Sequence, residues 1–402
     1  PITGLERGGA PLALRARPPC SVMPADLQGA LMVFAPTRQA TSETFIRANL
    51  AGLPFRIQAW FGDERPLVRP LRFLYGSAIL LSKLLTRLRL LRLAGLPAAW
   101  VAWLLIRLDP PDVVLAEFGF EAVRVMEACR WSGVPLVVHF RGSDASAQNR
   151  IGLLEGRYRR LFTLTSGVVV KSKSMAQRLQ ALGAEPRQIL VSPSGANADL
   201  FRGSAPATAP PVLLAVGRFV AKKGPLETIR AFHHCLRRLG DETVAELWMI
   251  GDGPLLPDAR RYVELHGLSH HVRFEGARSQ RDVAACMRSV RAFVQHSQVA
   301  PDGDTEGSPV AVMEAQLSGL PVIATRHAGI PEVMLDGITG LLVDEGDVEA
   351  MAAAMVRLIQ DPELAQSFGE AGRCRVQQHF TVEHHLQDVT ELLLRASSAV
   401  KS

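Results

Sequence analysis

Short runs of apolar residues recur along the chain, separated by stretches with helical period. Leu31-Met-Val-Phe-Ala35, Asp112-Val-Val-Leu-Ala116, Pro135-Leu-Val-Val-His-Phe140, Gly167-Val-Val-Val-Lys171 and Gln188-Ile-Leu-Val-Ser192 have the length and β-branched content of buried strands. Between them, Thr41-Ser-Glu-Thr-Phe-Ile46 opens a helix, with Thr41 or Ser42 as its cap and Glu43 in its first turn. A second helix is predicted from about Phe120 to Ser132. Gly203-Ser-Ala-Pro-Ala-Thr-Ala-Pro-Pro211 breaks the rhythm as a linker would. The pattern then restarts with strands at Val212–Val216, Ala245–Ile250, Val272–Phe274 and Ala292–Gln295, and it ends in a helix from Val382 to about Ala396. Alternation of this kind predicts an α/β fold of two doubly wound domains. The expected division is an extension over 1–30, a first domain over 31–200, a linker over 201–211, a second domain over 212–380 and a terminal helical segment over 381–402. The extension is rich in Pro, Gly and Arg, lacks the apolar stretch of a signal peptide and reads as poorly ordered.

One stretch departs from this rhythm. Leu71 to Leu93 is Leu, Arg and Lys in helical alternation, and Leu96-Pro-Ala-Ala-Trp-Val-Ala-Trp-Leu-Leu-Ile106 follows. Pro97 interrupts the second run, which is too short to span a bilayer. Two readings stand: a core helix with an exposed basic edge, or a basic amphipathic element that lies on a membrane surface over 71–107.

Composition narrows the class. The chain has 402 residues, 48% of them hydrophobic and 21% charged, which is globular and enough for two or three domains. Cys20, Cys129, Cys235, Cys286 and Cys374 are scattered without a CxxC pair, as expected of reduced thiols in a cytoplasmic protein without a zinc site. The net charge of +6 suits anionic partners, and without zinc-finger, RNP or KH text no nucleic acid is expected among them.

The chemistry concentrates in the second half. In Glu306-Gly-Ser-Pro-Val-Ala-Val-Met-Glu314, Ser308 suits an N-cap, Pro309 a first helical position and Gly319 the helix end. Free N–H groups over Gly307–Val310 favour a phosphate, Glu306 stands outside them, and Glu314 is placed to accept hydrogen bonds from a cis-diol such as a ribose. Diphosphate, sugar and ribose in that order describe a sugar nucleotide. Gly217-Arg-Phe-Val-Ala-Lys-Lys-Gly224 adds Arg218 and Lys223 after a strand, where they can offset charge on a leaving diphosphate. Ile250-Gly-Asp-Gly-Pro254 is a Gly-rich turn after a strand that reads as scaffold first, with Gly253 a candidate nucleotide contact. Asp302-Gly-Asp304 has the form of a metal motif, but a metal site would need further oxygen ligands and a phosphate beside it, and no metal is expected.

Together with Gly319-Leu-Pro-Val-Ile-Ala-Thr325, Gly329-Ile-Pro-Glu332 and Gly340-Leu-Leu-Val343, these segments resemble the signature of the retaining GT-B glycosyltransferases of family 4, nearest their colanic-acid, exopolysaccharide and lipopolysaccharide branch. The resemblance implies two Rossmann-like domains facing a cleft, the second holding a nucleotide sugar and the first an acceptor, with the terminal helix crossing back. It implies metal-independent hexosyl transfer with retention to a lipid-linked or saccharide acceptor, no cofactor, and a cytoplasmic site peripheral to the plasma membrane. Glu306 would hold sugar hydroxyls, and Ser42, Glu43 and Asp144 would lie on the acceptor side. In Phe140-Arg-Gly-Ser-Asp144, Arg141 stands where the family has its active-site His. Either His139, on the same face of the strand, takes over part of that role, or Arg141 meets a sugar or phosphate itself. Two rivals remain: another GT-B sugar-nucleotide enzyme such as an epimerase or phosphorylase, and a non-catalytic homologue.

Overall fold

The computed structural model describes residues 27–38, 44–64, 72–90, 93–240 and 244–399. Two parallel six-stranded sheets organise them. The first contains β1 Ala30–Ala35, β2 Arg56–Phe61, β3 Val113–Glu117, β4 Leu136–His139, β5 Gly167–Val170 and β6 Ile189–Val191, in the order β2-β1-β3-β4-β5-β6. The second contains β7 Val212–Val216, β8 Glu246–Ile250, β9 Val272–Gly276, β10 Ala292–Gln295, β11 Val322–Thr325 and β12 Gly340–Val343, in the order β12-β11-β10-β7-β8-β9.

Period-2 alternation divides each strand between two cores. Met32, Phe34, Val114 and Ala116 pack with Val123 and Phe162 on one face of the first sheet. Leu31, Val33, Val113 and Leu115 pack on the other with Val389, Leu393 and Ala396 of the terminal helix Val382–Ser398. The last helix of the chain therefore covers a face of the first sheet, and an isolated bridge between Ala196 and Thr381 marks the return. The stretch between the sheets is laid on the second domain: Phe201 is buried in its core, and Ser204 N–H donates to Ser318 O at 2.9 Å.

Strand β2 has no counterpart among the strands that the sequence predicts. Its residues, Arg-Ile-Gln-Ala-Trp-Phe, carry no apolar run because the strand is the sheet edge, with Arg56 exposed. The unusual stretch forms two helices, Arg72–Arg87 and Leu96–Leu108. Tyr75, Ile79, Ala98 and Ala102 on their inner faces join the first core. Their outer faces leave Leu80, Leu84 and Trp100 exposed, so the core reading holds for only one side. No helix among the described residues is long and apolar enough to cross a membrane.

Strand order reverses between β1 and β3 in the first sheet and between β7 and β10 in the second. Ligands of open parallel sheets bind at the carboxyl ends of strands beside such reversals. The terminal helix is part of the first core, so Leu393→Ala should destabilise the protein by about 2–5 kcal/mol, the range for a fully buried leucine. Chemical denaturation measures the effect, and half-buried Leu394→Ala should cost less.

Candidate active site

After β7 the chain turns through Gly217-Arg218-Phe219 into the 3₁₀ turn Ala221–Lys223 and then the helix Pro225–Leu239. This turn and the ends of β8 and β10 line an open pocket of about 300 Å³ beside the strand reversal. Arg218 lines it with an exposed side chain and makes no ion pair among the described residues. Lys223 Nζ lies 3.1 Å from Glu306 Oε1 and 3.5 Å from Gln295 Oε1. Gly253 is committed to packing. Its φ is +155°, and a Cβ there would stand 2.6 Å from Phe219 O, while Phe219 N–H donates to Asp252 O at 2.9 Å. The Gly-rich turn thus props up the loop that carries Arg218.

The signature helix is Val310–Ser318, with Pro309 as its N-cap and Gly319 closing it in the left-handed region at φ +96°. It starts one residue later than the sequence predicts. Ser308 does not cap it, because its Oγ accepts the Ser194 N–H of the first domain at 3.1 Å. Glu306 is buried, 6% exposed, and its backbone N–H donates to His327 Nε2 at 3.1 Å. Since Nε2 accepts, His327 carries its proton on Nδ1, which faces Glu345 Oε1 at 2.5 Å. Gly307 lies so close to the first domain that a Cβ would stand 2.5 Å from Arg141 O. Glu314 projects from inside the helix toward Gln280 Nε2 at 3.3 Å. Burial pushes its carboxyl up to about 8, against the opposing effects of Gln280 and Lys223.

Across the cleft, the carboxyl ends of β3, β4 and β5 hold a buried charged cluster. For Arg141 the sequence offers contact with a sugar or phosphate as one of two alternatives. The arginine's partner is internal: Nε and Nη2 lie 2.8 and 2.6 Å from Glu117 Oε2. Asn49 Nδ2 donates to Glu117 Oε1 at 2.9 Å. His139 is fully buried and lines no cleft. Its Nδ1 is 3.5 Å from Glu117 Oε2, and neither ring nitrogen makes a hydrogen bond among the described residues. Burial holds His139 well below its ordinary range, with Arg141 and Lys171 adding to the shift, so the ring is neutral. Lys171 is held well below its ordinary range by burial and by Arg141, opposed by Glu117.

Asp144, expected on the acceptor side, is a backbone clamp. It is fully buried and accepts from Gly119, Arg141 and Gly142 N–H at 2.8, 3.0 and 2.9 Å. Ser42 and Glu43 lie outside the described residues. Asp302 and Asp304 do not converge on a common point. Asp302 Oδ1 accepts the Asp304 N–H at 3.1 Å, while the Asp304 carboxylate meets Lys222 Nζ at 2.9 Å and Ser146 Oγ at 2.8 Å. No metal-binding group of three or more His, Cys, Asp or Glu occurs among the described residues.

Sequence reasoning missed Glu117, Lys171, Gln280, Gln295 and His327. Glu117, Lys171 and Gln295 had a usable signal: each is a polar residue that closes or follows an apolar strand, where parallel sheets present ligands. Gln280 and His327 lie far from their partners in sequence, and no local pattern marks them.

A family model described as glycosyl transferases group 1 matches residues 197–375, and one described as Glycosyltransferase Family 4 matches residues 64–200. WcaL of Salmonella typhimurium, a glycosyltransferase whose name assigns it to colanic acid biosynthesis, is 31% identical over 289 residues, 70% of this chain and 70% of its own. AmsK of Erwinia amylovora, an amylovoran biosynthesis glycosyltransferase, is 30% identical over 289 residues, 71% of this chain and 70% of its own. The crystal structure of Anabaena Alr3699/HepE in complex with UDP superposes with a TM-score of 0.71 at 17% identity, covering 91% of this chain and 100% of that one. The architecture is thus GT-B, two Rossmann-like domains. The chain belongs to the group 1 glycosyltransferases.

Glu314 gives this site a pH signature. The folded protein holds its proton up to about 8, whereas the unfolded chain releases it near the ordinary value of 4.5. Between those limits the unfolded state binds fewer protons, so the contribution of Glu314 to stability falls as pH rises and levels off above the folded value. Glu314→Gln removes the titration. The melting temperature of wild type should therefore decline relative to the variant from about pH 4.5 to pH 8, and parallel profiles in calorimetric scans would refute the burial argument.

Proposed function

We propose that this glycosyltransferase moves a hexosyl group from a nucleotide sugar to a lipid-linked or saccharide acceptor in cell-surface polysaccharide synthesis, with retention at the anomeric carbon and without a metal ion. The observation that carries this reading is the pocket at the β7–β10 reversal, where Arg218 is exposed and unpaired among the described residues and Lys223 reaches Glu306. The names of WcaL and AmsK support the polysaccharide context, and the UDP complex of HepE supports a nucleotide ligand.

Arg218, Lys223 and the backbone N–H groups over Gly307–Val310 receive the diphosphate. Glu306 accepts hydrogen bonds from sugar hydroxyls, with Lys223 offsetting repulsion between its carboxylate and the phosphates. Glu314 meets the ribose. The acceptor hydroxyl attacks from the face on which the diphosphate departs, and a departing phosphate oxygen takes its proton. The non-catalytic alternative rested on Arg141 in place of His, and the Glu117 partner gives that arginine a structural reason.

The acceptor enters from an inner membrane face in this proposal. The outer sides of Arg72–Arg87 and Leu96–Leu108, with the turn that follows Arg87, expose Leu80 (65%), Leu84, Leu88, Trp100 (59%) and Leu108 beside Lys83, Arg87, Arg89 and Arg107. Trp100 packs near Trp103 and Trp131, at ring separations of 5.7 and 6.0 Å. Leucines and tryptophans bordered by cations match an anionic lipid surface.

Nucleotide release from UDP-glucose, UDP-galactose, UDP-N-acetylglucosamine and GDP-mannose, with saccharide or lipid acceptors, tests the reaction. At least one donor should turn over and should survive EDTA, and release from none would refute the proposal. With that donor, Lys223→Ala and Arg218→Ala should each lower kcat by roughly 10²-fold, the scale for losing one group that stabilises developing charge. Near-normal turnover in both would remove them from the site.

Co-sedimentation with vesicles tests the surface. Wild type should pellet with anionic vesicles at low salt and release at high salt, and a variant with Arg87, Arg89 and Arg107 changed to Gln should stay in solution. Equal recovery in the supernatant throughout would reject the membrane contact.

A further inference from the structure

The acidic segment Asp302-Gly-Asp304 has no part in the reaction described above, yet both carboxylates of Asp302 and Asp304 are engaged within the protein. The loop closes on itself, with Ala300 N–H donating to Asp304 O at 2.9 Å and Gly303 N–H to Ala300 O at 2.8 Å. It then leans on the first domain. Gln148 N–H donates to Asp302 O at 3.0 Å, Thr305 N–H to Ser146 Oγ at 3.2 Å, and Arg178 Nη1 to Thr305 Oγ1 at 2.7 Å. The Asp304 carboxylate joins the two sides, one oxygen 2.8 Å from Ser146 Oγ and the other 2.9 Å from Lys222 Nζ. Lys222 also reaches Thr305 O at 3.3 Å.

Lys222 adjoins Lys223, and Asp304 is two residues before Glu306. The same two loops are therefore tied twice, once through Lys223 and Glu306 facing the pocket and once through Lys222 and Asp304 facing the first domain. We propose that Asp304 is a positioning residue, a clasp that fixes Glu306 and Lys223 against the acceptor domain through Ser146. The pairing is half-buried, and carboxylate, ammonium and hydroxyl satisfy one another without a further ligand. The inference rests on the donor-site reading given above. It predicts that the clasp affects the transfer step more than nucleotide binding, because what it sets is the relation between the domains.

Asp304→Asn and Ser146→Ala break the clasp from its two ends. Lys222→Gln breaks it from the donor loop and guards against a folding defect at buried Ser146. Three quantities are read: hydrogen exchange of the backbone over 300–305 and at Gln148, UDP affinity by calorimetry, and kcat with the donor found active. Exchange should rise in each variant. kcat should fall by about tenfold with UDP affinity held within about twofold, and Asp304→Asn combined with Ser146→Ala should lose no more than the worse single variant. Unchanged exchange overturns the clasp. Raised exchange with normal kcat, or equal losses in kcat and UDP affinity, overturns the positioning role. A wild type that releases no nucleotide sinks the donor-site reading and this inference with it, whereas an active wild type with unaltered variants sinks the inference alone.

Discussion

The ion pair between Lys223 and Glu306 is the contact on which the site depends. A buried carboxylate beside the helix start proposed to hold a phosphate would repel the ligand that such a helix start attracts. Lys223, 3.1 Å away, neutralises it and remains close enough to be shared with an arriving diphosphate. Each end is held by something else. The lysine follows a loop propped by the turn at Asp252 and Gly253, and Glu306 is anchored by its N–H on His327 and by Gly307 pressed against Arg141 O. Shifting either support separates the charges or exposes one of them.

The first domain solves a similar problem differently. Its carboxyl edge buries Glu117, Arg141, His139 and Lys171 together, and His385 of the terminal helix completes the group, its Nδ1 2.8 Å from Ser192 Oγ. A charge can be buried only with compensation. Here Glu117 pairs with Arg141, His139 is neutral, and Lys171 is biased toward losing its proton. The cluster gives Arg141 a buried carboxylate partner inside the first domain. It also makes the terminal helix a structural partner of the cleft, since His385 lies beside these groups.

The architecture was legible because parallel strands covered on both faces must be continuously apolar, and short runs such as Val113–Glu117 and Val212–Val216 suit hardly any element but a buried strand. Edge strand β2 was not, since an edge is under no such constraint. In the second domain, local turn chemistry and helix starts mark Arg218, Lys223, Glu306 and Glu314 as candidates, and the structure brings Arg218 and Lys223 to one pocket with Glu306 beside Lys223. In the first domain the surroundings of Arg141, His139 and Asp144 were not legible. Sequence shows that an arginine ends a strand, but not that Glu117 from the neighbouring strand waits for it. Likewise, sequence does not show that three backbone N–H groups occupy the Asp144 carboxylate. Ser308 shows the same limit: it has the character of an N-cap, but Ser194 from the other domain takes its oxygen.

The central claim is that the pocket at the β7–β10 reversal receives the nucleotide. A crystal structure of the protein grown with UDP, and another with GDP, tests it directly. The account predicts a diphosphate within hydrogen-bond distance of Arg218, Lys223 and the N–H groups over Gly307–Val310, with the ribose hydroxyls on Glu314. A nucleotide bound among the loops of the first domain, or one in the second domain whose ribose leaves Glu314 on Gln280 alone, would contradict it.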